Sequence, residues 1–319
     1  MKTLGFILIL HLPFFLFAQT NSKIAFTINE KDLIPEGIAF SATKQCFYLS
    51  SIFKKKIVII NADGSFTDFI ASQFEGFLGG LGMKVDEKNQ ILWANSGDIL
   101  NDSIATTGIF AFEIGSGKLR KKYLPRPNSS HFFNDLVLDN QGFVYISDMY
   151  SGAVYRFSLA MNEPEILVKS KELEYINGIA ISDDSRFLYV DTWREGIKAI
   201  EIATQKIIPL HPQPREIQAN GIDGLYFYQN SLIGVVNGTK ELSDNQIVRF
   251  YLDTEQTKIT QIKVLLKNHP SFQIPTTGVI LGRYFYCIAN SQLNLLSPDA
   301  KTISDTSRLK EVVILKIRL

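Results

Sequence analysis

Six short stretches decide how this chain folds: Glu36-Gly-Ile-Ala-Phe40, Leu81-Gly-Met-Lys-Val85, Asn134-Asp-Leu-Val-Leu138, Asn177-Gly-Ile-Ala-Ile181, Asp223-Gly-Leu-Tyr-Phe227 and Thr277-Gly-Val-Ile-Leu281. In each, one opening residue leads into a short apolar run. The openers recur at intervals of about 43 to 54 residues. A period in this range, with several short strands per unit, predicts a β-propeller. Strands that begin alike in every unit place their first residues around one central axis.

Around each stretch the same order repeats. A second, apolar and aromatic run follows, as in Phe47-Tyr-Leu49, Val144-Tyr-Ile146 and Phe187-Leu-Tyr-Val190. A third alternates, as in Ile57-Val-Ile-Ile60, Val154-Tyr-Arg-Phe157 and Ile247-Val-Arg-Phe-Tyr251. β-Branched and aromatic residues between turn formers such as Asp63-Gly64 favour strands over helices. The expected fold is all-β: a six-bladed β-propeller with four strands per blade. Val312-Val-Ile-Leu-Lys-Ile317 matches a third strand, and nothing after it supplies a fourth. Ile24-Ala-Phe-Thr-Ile28 is the candidate, so the N-terminal strand closes the last blade and removes the free edges of an open ring. Ser291 to Glu311 then form an insertion, and Asn95 to Thr107 are a second long link.

The chain has 319 residues, 45% of them apolar, and a net charge of +1. That supports a large core and gives no reason to expect nucleic acid or an anionic membrane as partner. Met1 to Ala18 reads as a signal peptide: Lys2, then an apolar run, then a small residue. Residues 19–319 form one propeller domain in this reading. The mature protein is expected to be periplasmic or secreted, without a membrane span. Cys46 and Cys287 fall on the second strands of neighbouring blades. Export permits a disulfide, but their registers do not match, so buried free thiols are expected.

Four openers carry side-chain oxygen: Glu36, Asn134, Asn177 and Asp223. Asn and Asp also open strands merely because they favour turns. Four such residues at equivalent points of a ring suit a hard divalent cation. Calcium leads; magnesium, manganese and zinc remain as alternatives, although no opener is His or Cys. A second polar ring is expected on the same face: Ser51, Asn95, Asp148, Asp191, Asn237 and Asn290. His131, three residues before Asn134, is a candidate proton shuttle, or a loop histidine bound to backbone. Trp193 and Tyr150 are candidate pocket walls. No Gly-x-Ser-x-Gly, Cys/His pair or phosphate loop occurs.

The motifs Pro35-Glu-Gly37, Asn134-Asp135, Tyr175-Ile-Asn-Gly178 with Ser182-Asp183-Asp184, and Asn220-Gly-Ile-Asp-Gly224 make a wider resemblance. The chain resembles the senescence-marker-protein/gluconolactonase/luciferin-regenerating-enzyme family of six-bladed propellers, over roughly residues 30 to 290. The resemblance implies that Glu36, Asn177 and Asp223 bind a catalytic metal and that Asn134 is a ligand or substrate contact. It also implies that Asp223 is the base. Related paraoxonases place an Asp after the opening Glu to hold a second calcium. Gly37 stands there in this chain, which argues against a second site, although Asp135 could still belong to one. No arginine matches the one that grips a sugar acid in gluconolactonase-type members.

The expected activity is calcium-dependent hydrolysis of a small-molecule lactone or related ester. Two rivals stand beside it. One is a non-catalytic propeller that binds a sugar or peptide in the same pocket. The other is an enzyme like strictosidine synthase, which has the fold but no need of the ligand ring.

Overall fold

The computed structural model describes residues 21–101, 104–126, 130–193, 195–213, 221–237 and 244–319. The segment read as a signal peptide, 1–18, lies outside them, as does Asn220. Six four-stranded antiparallel sheets make the six blades. The innermost strands are Pro35–Ser41, Gly80–Asp86, Phe133–Leu138, Ile176–Ile181, Leu225–Phe227 and Gly278–Leu281. Among the described residues, helix is confined to short 3-10 turns such as Leu293–Leu295.

Alternation explains why the sheets stack. In each strand, successive side chains face opposite neighbours. In blade 1, Cys46 and Tyr48 pack with Met83, Leu92 and Phe110 of blade 2. Phe47 and Leu49 pack the other way, with Ile288, Val312 and Ile314 of blade 6. Four further clusters fill the remaining seams. The core is therefore six sandwiched layers rather than one central mass.

The last blade closes as the sequence predicts. Ser22–Ile28 pairs antiparallel with Val312–Arg318, with Ile28 opposite Val312 and Ser22 opposite Ile317. Ile28 is fully buried in the seam between blades 6 and 1. Both cysteines are free and buried. Their blades are neighbours, but Cys46 faces blade 2 and Cys287 faces blade 5. The shared seam contains neither, which rules out a bond between them.

The link Asn95 to Thr107 departs from expectation. It is not an irregular link but strand: Ile91–Asn101 pairs with Ile104–Glu113 as a continuation of the second and third strands. The blade 6 insertion does lack strands. Ser291 Oγ donates to Ile274 O over 2.6 Å, and Gln292 Nε2 donates to Lys31 O and Lys310 O. Leu295, within the insertion, is fully buried. The Ser182-Asp183-Asp184 motif is a turn brace. Ser182 Oγ donates to Asp184 Oδ1 and accepts from the Arg186 and Phe187 N–H groups. It lies outside the ring of openers.

Candidate metal and active site

The ring of openers is built by a repeated backbone irregularity. Pairing between the first and second strands slips between Pro35 and Ile38, Gly80 and Met83, Phe133 and Leu136, and Ile176 and Ile179. Each slip spans an opener and its successor. A bulge of this kind bends the strand and re-aims a side chain. In blade 5 Asp223 precedes the strand proper, tied by its N–H to Val235 O at 2.8 Å. Glu36, Asn134, Asn177 and Asp223 are all at least nine-tenths buried.

The residue after the opener is glycine in five blades. A Cβ at Gly37 would lie 2.1 Å from Leu81 O, and one at Gly178 would lie 2.4 Å from Asp223 O. Side chains are excluded there because neighbouring inner strands approach so closely. The exception is Asp135, which occupies room that Gly82 leaves: a Cβ on Gly82 would sit 2.3 Å from Asp135 Oδ1.

Asp223 is the most heavily engaged member. Asn177 Nδ2 donates to its Oδ1 at 3.1 Å, and Asn237 Nδ2 donates to its Oδ2 at 2.6 Å. Burial, reinforced by the Asp135 charge, pushes its carboxyl up to about 7. Burial first, then the charges of Asp223 and Asp135, hold the Glu36 carboxyl well above the usual range. Glu36 Oε2, Asp135 Oδ2, Asn95 Oδ1 and Asn237 Oδ1 are buried without a hydrogen-bond partner. Such orphaned acceptors are costly in a dry interior. All four are hard oxygens, as calcium or magnesium requires, and the donor set fits such a cation. Among the described residues, no three His, Cys, Asp or Glu side chains converge as a metal site. The set at the openers instead mixes two carboxylates with amides.

Deeper along the inner strands, Lys84, Val137, Ala180, Tyr226 and Ile280 line a cavity of about 200 Å³. Lys84 Nζ lies 4.7 Å from the Tyr226 ring centroid. Burial lowers the Lys84 ammonium, and the Asp135 charge opposes that fall. Asp135 thus stands between an acidic ring and a buried cation.

The second polar ring does not act as one unit. Asn237 reaches Asp223, and Asn95 Nδ2 donates to Asn134 O at 3.3 Å. Asp191 accepts from the Ile222 N–H. Ser51 bonds Leu33 O, and Asn290 ties down Glu311 O and the Val313 N–H. Asp148 accepts from the Phe132 N–H and from Ser151 Oγ, and lies 2.5 Å from His131 Nδ1. His131 stands among Phe133 and Tyr155. The Trp193 ring covers Gly221, and Tyr150 packs on Phe132. Asn237 was not among the four expected ligands. Its one signal in the sequence was its place just after the second strand of the blade that carries Asp223.

The SMP-30/Gluconolactonase/LRE-like region family profile matches residues 34–226. The chain belongs to that family. The match takes in the openers of blades 1 to 5. Among solved structures, a gluconolactonase from Xanthomonas campestris is 12% identical, with a TM-score of 0.60, over 89% of this chain and 86% of that one. Regucalcin from Agrobacterium tumefaciens, a calcium-binding protein, is 15% identical, with a TM-score of 0.60, over 92% and 93%. A PQQ-bound aldose sugar dehydrogenase from Streptomyces coelicolor is 12% identical, with a TM-score of 0.64, over 93% and 98%. At these identities the likeness establishes the shared propeller fold and not a shared reaction. No curated protein matches the chain. Among the described residues, no helix is long and apolar enough to cross a membrane.

Proposed function

We propose that the protein is an exported, calcium-dependent hydrolase of small lactones or related esters. The observation that carries the reading is the set of buried oxygens without partners: Glu36 Oε2, Asn95 Oδ1, Asn237 Oδ1 and Asp135 Oδ2. Glu36, Asn134, Asn177 and Asp223 would hold the ion, with Asn237 beside them. When bound, a divalent cation supplies Lewis acidity to a carbonyl oxygen and neutralises developing negative charge.

The chain's own groups do the rest. Asp223 accepts a proton from the attacking water. Its raised carboxyl lies near neutral pH, where a general base works best. The two amides that grip it fix its plane. Glu36 contributes the second negative charge. His131, oriented by Asp148, relays protons at the edge of the site. Export rests on the Met1 to Ala18 pattern.

A lactone panel assayed with and without chelator tests the reading. Hydrolysis should vanish on chelation and return with calcium, and His131→Gln should slow it while calcium affinity holds. Calcium binding without any lactone or ester hydrolysis would instead favour a sugar- or peptide-binding propeller.

A further inference from the structure

The blade 2 opener is Leu81, an apolar residue between Glu36 and Asn134 in the ring. Beside it lies a cavity of about 280 Å³. Ile52, Leu81 and Phe132 form its inner wall, and Leu293, Leu296 and Pro298 of the blade 6 insertion form its outer wall. The inner residues belong to one apolar cluster that continues to Met149 and Tyr150. Among the described residues, the one ionisable residue lining the cavity is Asp98. Its charge is taken up by Lys55, and its Oδ1 accepts from the Gly79 N–H. The outer wall is fixed in place by the Ser291 and Gln292 bonds described above. Leu81, a member of the ring, is thus also part of the wall of a preformed, mostly apolar room whose described charge is paired.

We propose that this room binds the alkyl or acyl chain of the substrate, so that the protein acts on aliphatic lactones or esters in preference to polyhydroxylated sugar lactones. The proposal rests on the hydrolase reading. Hydroxyl groups placed against Ile52, Leu81, Leu293 and Leu296 would lose water without gaining partners. A hydrocarbon chain there gains roughly fourfold in binding per buried methylene. The ring oxygens would hold the carbonyl end while the chain lies under the insertion.

The experiment measures kcat/KM for γ-lactones with side chains from methyl to octyl, beside a sugar δ-lactone, for wild type and Leu296→Ser. Leu296 is only partly buried, so the variant should keep its fold. In the wild type kcat/KM should climb roughly fourfold per methylene until the room is filled. Leu296→Ser should flatten that climb, with a loss that grows with the length of the side chain. A flat profile, or preference for the sugar lactone, overturns the proposal and leaves the hydrolase reading standing. If no lactone is cleaved, the hydrolase reading fails, and calorimetry with non-hydrolysable 2-alkyltetrahydrofurans decides about the room. Affinity that rises with chain length and falls in Leu296→Ser supports it; no binding overturns it.

Discussion

Glu36 and Asp223 are two acids that water barely reaches, and the Asp223 charge makes Glu36 harder to ionise. Asp223→Asn keeps an oxygen and nearly the same volume while removing the charge and the base. Turnover should fall by roughly 10²–10⁴-fold, and saturating calcium should not restore it. Glu36→Gln costs a charge alone, so excess calcium should rescue it in part. Equal rescue of both variants would show that Asp223 is only a ligand. Asp191, which accepts from the Ile222 N–H beside Asp223, offers a pH test at a residue outside the expected ligands. Burial raises its carboxyl to about 7, against about 3.9 in an unfolded chain. The folded state therefore holds the proton more tightly, and stability is lost as pH rises between those values. In chelator, Asp191→Asn should melt above wild type at pH 8 and level with it at pH 4. A constant gap across pH would contradict the assignment. The four polar openers were legible because repetition exposes them. Asp135 was harder to place: its role depends on five glycines in other blades, which no local pattern reports.

Strands were the most readable elements, because alternation and turn chemistry agree in every blade. The N-terminal strand was found by its absence elsewhere: the last blade lacked a partner, and one β-rich segment was left over. The pairing gives a sharp contrast within that strand. Ile28→Ala removes a fully buried side chain and should cost about 2–5 kcal/mol. Ile24 is half exposed, and Ile24→Ala should cost under about 1 kcal/mol. Denaturant midpoints of the two variants check this; equal losses would deny the seam its role. The link from Asn95 to Thr107 does not announce itself as strand. Its residues alternate weakly and include several turn formers, while its strand state comes from pairing with itself in a long hairpin. The bulges at the openers were also invisible, since a slip in register is a relation between two strands.

Across the whole ring, each seam is closed by hydrophobic contact, but the centre holds acids that repel one another. Calcium should relieve that repulsion. At a hundredfold excess over Kd, binding adds about 2.7 kcal/mol, so chelated protein should gain several degrees of melting temperature when calcium is restored. Ligands must be ionised to bind, and the Asp223 carboxyl lies near 7. The gain should therefore grow from pH 5 to pH 8, as scanning calorimetry at each pH would record. A gain independent of pH would place the ion elsewhere.

Because Ser22–Ile28 is the outer strand of the last blade and pairs with Val312–Arg318, a strand made early must wait for one made about 290 residues later. At roughly 5–20 residues per second, that wait is on the order of 15–60 s on the ribosome. Throughout it, blade 6 cannot form and blade 1 has one face bare. A chain cut short anywhere in its last blade would leave Ile28, Phe47 and Leu49 without cover. The cover of blade 1 thus depends on the strand that closes the ring last.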